Sequence, residues 1–182
     1  MVPQGFHDFF VAGASASGAL IGLLFVAVSV APEQTVGREA PIEARAIAAS
    51  ALTAFTNTLF VALDALIPGA NLGNVVVIVA SFGLVSTLIL GLLLWRRREE
   101  QISRRAPFLF AGIAVLYAFQ LRYGIVLKTA ADDLSALRTT AGLMLGLYAV
   151  GVARSWELLG ARNLGVLELF RPRQRHDPPG RP

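Results

Sequence analysis

The sequence predicts an all-α membrane protein, five transmembrane helices in a bundle with the N-terminus outside and the C-terminus cytoplasmic. Three observations carry that prediction. Of the 182 residues, 55% are hydrophobic and 15% charged, and the mean hydropathy of +0.62 is too high for a domain that keeps a solvated surface. Apolar runs, most of them near the ~20 helical residues that cross a hydrocarbon core, use up nearly the whole chain and leave no room for a soluble catalytic domain of ~100 residues. The arginines gather in alternate loops, and that bias sets orientation.

The first span, residues 9–31, is uncharged for all 23 positions from Phe9 to Ala31. A cleaved signal peptide needs a positively charged start, whereas the first basic residue is Arg38, so the segment is expected to remain as a helix. Ala14, Gly18 and Gly22 recur at intervals of four and form a small-residue ridge that another helix backbone can approach closely. Packing within the chain is the default expectation for this ridge, and a homo-oligomer interface the alternative. Pro41 opens the second span, residues 44–67, whose 18 uncharged positions from Ala46 to Leu63 run up to Asp64 before Pro68-Gly69 ends it. The uncharged turn at 68–74 leads into the third span, 72–95, stopped by Arg96, Arg97 and Arg98.

The fourth span, 107–127, begins at Pro107 and carries Arg122 near its end. The fifth, 138–155, is the weakest, with only 15 uncharged residues between Arg138 and Arg154 and a Gly142-xxx-Gly146 pair inside it. Charge decides in its favour. With five spans Arg38, Arg45, the Arg96–Arg105 cluster, Arg154 and all the tail arginines share the inner side, against Arg122, Lys128 and Arg138 outside. With four spans the tail would move out and the bias would reverse, against the positive-inside rule. Trp95 and Trp156 then fall at the inner interface.

Membrane domain 1–159 gives way to segment 160–182. Trp156, Leu159, Val166, Leu167 and Phe170 outline an amphipathic inner-surface helix, weakened by Gly160 and Gly165. The closing RPRQRHDPPGRP is expected to be a disordered basic tail resting on anionic headgroups, and it offers a site for a cytosolic partner. The segments before Pro41 and Pro107 echo each other, but aligning the two prolines sets Asn57 opposite Tyr123 and Thr56 opposite Arg122, a poor polar match for an internal duplication.

Much chemistry is excluded at once. The chain has no cysteine, so thiolate metal sites, disulfides and cysteine nucleophiles cannot form. His7 and His176 stand near opposite ends without metal-ligand spacing, and neither a metal nor a cofactor is expected. The pI of about 10.3 reports membrane orientation rather than nucleic acid, because no aromatic residues interleave the basic ones. Ser15, Ser17 and Ser50 have no neighbouring base in sequence, and Glu99-Glu100 and Asp132-Asp133 diverge on a helix, so an enzyme is not expected. Arg154 and Glu157 form an ordinary i, i+3 pair. Arginine supplies 15 of the 16 basic residues, which fits a GC-rich genome and a bacterial inner membrane.

The second span is the most informative. Glu43, Ser50, Asn57 and Asp64 are spaced by seven, drifting only ~20° per step, and Thr53 widens the polar stripe. A lipid-facing Asp in a span is costly, so this face must look into protein or water. It is either interhelical hydrogen-bond glue or the lining of a permeation path. Tyr117 and Gln120 are expected as inward polar contacts on the fourth span. Arg122 is placed to pair with Asp64 at similar depth, with His7, Asp8, Asp132 and Asp133 around an outer mouth. The leading expectation is a homo-oligomeric protein that passes an ion or small solute along Ser50, Thr53, Asn57 and Asp64; the alternative is a non-enzymatic accessory or scaffold subunit of a larger membrane complex.

Overall fold

The computed structural model describes residues 3–30, 37, 40–96 and 106–158, and every regular element among them is a helix: α1 Gln4–Val30, α2 Ile42–Ala65, α3 Leu72–Arg96, α4 Ala106–Thr129 and α5 Leu134–Leu158. All five are long and apolar enough to cross a membrane. In hydrocarbon a backbone must satisfy its own hydrogen bonds, so an uncharged run of this length folds as a helix whatever its side-chain pattern. The tail expected at 160–182, with its amphipathic helix, and the loop at 97–105 lie outside the described residues.

Helix ends are set by local chemistry. Pro41, extended at φ −53° and ψ 138°, stands just before α2 rather than in its first turn. Past α2, Leu66 N–H donates to Leu63 O (3.1 Å) and Ile67 N–H to Asp64 O (3.0 Å); Gly69 then turns the chain at φ 76°, a left-handed conformation that side chains resist. Asn71 accepts from Gly73 N–H (3.1 Å) to start α3, while its amide reaches Lys128 O (3.3 Å) at the end of α4. Asp133 starts α5 by accepting from Ser135 and Ala136 N–H at 2.8 and 3.1 Å. This cap lets α5 begin four residues before the expected 138, and the helix runs 25 residues to Leu158, so the apparent shortness of the fifth span disappears. α1 likewise begins at Gln4 and carries His7 and Asp8 on its first turns.

α3 and α4 pack antiparallel along their whole length, because Gly73 lies on the backbone at Lys128, Gly83 under the Tyr117 ring and Gly91 beside Phe110. Gly124 returns the favour, with Val76 and Val77 where its side chain would be. Lipid tails are as apolar as leucine, so helices associate here through close van der Waals packing, and glycine permits it. α2 is central. It packs against α1, α3 and α5, reaches α4 through the Asn57–Gln120 pair, and is the most deeply buried of the five helices. Gly151 of α5 receives the Phe55 ring of α2.

α1 is the outermost layer and corrects an expectation. Its packing face is Phe10, Gly13, Ser17 and Leu24, turned toward α2 and α5. Gly18 and Gly22 are exposed, with nothing within 4 Å of a side chain built on either, and Ala14 is only half-buried. Among the described residues, the expected ridge therefore does no packing at Gly18 and Gly22. In α5, Gly142 is also exposed, while Gly146 meets Leu116 of α4.

Candidate functional site

The polar stripe of α2 ends inside the bundle. Asn57 and Gln120 form a reciprocal amide pair: Asn57 Nδ2 donates to Gln120 Oε1 at 3.1 Å, and Gln120 Nε2 donates to Asn57 Oδ1 at 2.8 Å. Asn57 is 3% exposed and Gln120 fully buried. The other stripe hydroxyls turn back on their own helix, Ser50 Oγ to Ile47 O and Thr53 Oγ1 to Ala49 O, both at 2.8 Å. A hydroxyl used this way has little left to offer a passing solute.

Asp64 lies one turn before the α2–α3 turn, half-buried, with Oδ2 out of contact with any partner. The expected pair with Arg122 does not form. Arg122 follows Gln120 by two residues, about 200° around the helix, so the rotation that turns Gln120 inward turns Arg122 to the exposed face. Tyr117, one turn before Gln120, is buried as expected, but its hydroxyl has no partner; its ring is spent on packing against Gly83.

A second polar cluster, which the α2 pattern does not announce, joins three helices. Ser17 of α1 lies 3.0 Å from Thr58 Oγ1 of α2 and 2.5 Å from Tyr148 Oη of α5, and Tyr148 donates to the Gly13 carbonyl. Thr58 also reaches the Phe55 carbonyl at 2.9 Å. One proton per hydroxyl suffices for the chain across the three helices, with Thr58 donating to Ser17, Ser17 to Tyr148 and Tyr148 to the Gly13 carbonyl. Ser17 lies about 100–140° around α1 from the exposed glycines, and only the three-dimensional meeting of α1, α2 and α5 singles it out.

At the arginine-rich end, Arg154 is not an ordinary surface partner of Glu157. Its Nη1 donates to Glu157 Oε2 at 2.8 Å, but the two side chains are only 5% and 19% exposed, and the guanidinium carbon stands 4.9 Å from the Phe110 ring centroid of α4. Arg154 Nη2 is buried without a partner. Cation–π contact and one ion pair hold the charge inside the bundle.

At the opposite end, His7 Nδ1 and Asp8 Oδ1 lie 3.3 Å apart on an exposed turn, and Asp133 is occupied by its cap. Two apolar clefts open on either side of the second half of α1, about 340 Å³ against α2 and about 220 Å³ against α5. Neither is lined by Ser50, Thr53, Asn57 or Asp64. Among the described residues no group of three His, Asp or Glu side chains could hold a metal ion. No family model, curated protein or solved structure matches this chain.

Proposed function

We propose that this chain is a non-enzymatic accessory or scaffold subunit of a larger complex in a bacterial inner membrane. Five apolar helices are compatible with an integral membrane protein. One observation supports the finer reading: the polar side chains midway along the most enclosed helix, Ser50, Thr53 and Asn57, are used up within the protomer, above all in the Asn57–Gln120 amide pair. A homo-oligomeric pore lined by α2 would need that helix turned toward a shared axis, whereas α1, α3 and α5 surround it and Gln120 of α4 takes its central amide. Such a bundle is a stable platform whose outward helix faces remain for a partner.

The chain has no cysteine, so a single Gly18→Cys gives a clean crosslinking position on exposed α1. Crosslinking in native membranes to a different polypeptide is the expected result.

The permeation reading keeps one observation in its favour, the unpartnered Oδ2 of Asp64 within a polar stripe. Potential-driven flux into liposomes holding parent or Asp64→Asn protein separates the two readings. The accessory reading expects neither to conduct any of several cations and anions. Asp64-dependent flux would replace it with a homo-oligomeric channel.

A further inference from the structure

We infer that the cleft between α1 and α2 is a seat for one anionic phospholipid, its acyl chain between the helices and its phosphate on Arg45. The inference requires only that the chain lies in a bilayer, and stands or falls apart from the accessory reading. Leu24, Phe25 and Val28 of α1 form one wall and Ala49 and Leu52 of α2 the other, around a space of about 340 Å³. The space exists because α2 presents the small side chains of Ala48 and Ala49 on this flank, beside the place where Leu24 of α1 packs against Ala51 and Phe55. Arg45 lies on the same cleft, four residues before Ala49 and one full heptad before Leu52, at the end of the bundle that also holds Arg96 and Arg154.

Charge decides the occupant. Arg45 is exposed and has no ion pair among the described residues, so among them it is a cation with free valence on a space otherwise walled by apolar groups. A phospholipid with a net negative headgroup matches both halves of that arrangement. The acyl chain gains little over bulk lipid by lying between helices, because both surroundings are hydrocarbon. Selectivity must therefore come from the headgroup, through Arg45.

The second cleft is a built-in control. It lies on the other flank of α1 beside Trp156 and Leu158, is similarly apolar, and among the described residues has no charged side chain in its wall. A headgroup preference is expected at the first cleft and not at the second.

The test uses the full chain in phosphatidylcholine vesicles containing either brominated phosphatidylglycerol or brominated phosphatidylcholine, with tryptophan quenching as readout. Phe25→Trp, in a Trp95→Phe/Trp156→Phe background, reports the first cleft; native Trp156, in a Trp95→Phe background, reports the second. At Phe25→Trp the anionic lipid should quench with about fivefold higher apparent affinity than the zwitterionic one. Arg45→Gln should bring that ratio to about one, and Arg45→Lys should keep most of it. At Trp156 the ratio should stay near one. Ala49→Leu, which fills the cleft without touching the charge, should lower quenching at Phe25→Trp by both lipids.

A preference that survives Arg45→Gln, or that is equal at both reporters, would reduce the effect to general enrichment of anionic lipid and overturn the seat. Absence of quenching at Phe25→Trp by either lipid would mean that protein fills the cleft, and would overturn it as well.

Discussion

Asn57 and Gln120 illustrate how a polar side chain is kept among apolar helices. Each amide alone would be a buried donor and acceptor without a partner, whereas together each satisfies the other. Measured membrane hydrogen bonds contribute ~0.6 kcal/mol on average and up to ~1.7, because the separated helices also find partners. Asn57→Leu and Gln120→Leu should therefore each destabilise the bundle by about 1–2 kcal/mol, and the double variant should lose less than the two singles combined. Reversible unfolding in mixed micelles measures the cycle. Strictly additive losses would mean that the pair contributes no coupling.

At the element scale, two classes of glycine behave differently. Gly83 and Gly151 lie under the Tyr117 and Phe55 rings, where any side chain collides with an aromatic face. Gly83→Ala and Gly151→Ala should each cost about 1–3 kcal/mol through forced rearrangement. Gly18→Ala and Gly22→Ala meet nothing among the described residues and should leave the melting temperature of the isolated protein unchanged or slightly raised, since alanine is the better helix former. Equal losses at all four positions would contradict the exposed placement of the α1 ridge.

Capping gives the start of α5 a pH dependence. Hydrogen bonds from Ala136 N–H and from Ser135 hold the Asp133 carboxyl below the usual carboxylate range. A carboxyl whose folded pKa is depressed stabilises the fold above its unfolded pKa, and that contribution fades as pH falls through the folded value. Amide exchange at Ser135 and Ala136 should thus lose protection on the acid side, below about pH 4. Asp133→Ala should show weak protection at every pH, and protection that stays constant through the acid range in the parent would remove the cap from the account.

For the whole molecule, the arginine-rich end gathers the start of α2 and the ends of α3 and α5, and the positive-inside rule predicts that this end faces the cytoplasm. Single cysteines report this directly, because the chain has none of its own. Gln4→Cys and Ala131→Cys should react with a membrane-impermeant maleimide in intact cells stripped of their outer membrane. Arg96→Cys should react only after lysis. The opposite pattern would invert the orientation.

Sequence by itself determined the five membrane-length helices among the described residues and that one face of α2 is polar. Both follow from local physics, since a long uncharged run must satisfy its own backbone in hydrocarbon and residues seven apart share a helix face. Tertiary structure decided what each face meets. The alignment on Pro41 and Pro107 sets Asn57 opposite Tyr123, but the side chain that takes Asn57 is Gln120, about one turn earlier on α4. The same rotation that brings Gln120 inward carries Arg122 away from Asp64. Likewise Gly13 and Ser17, not Gly18 and Gly22, were chosen as the packing side of α1. Hydropathy carries no record of these choices, because lipid receives every apolar face of a helix equally well. Rotation and register are set only when small residues, rings and polar side chains of neighbouring helices find one another.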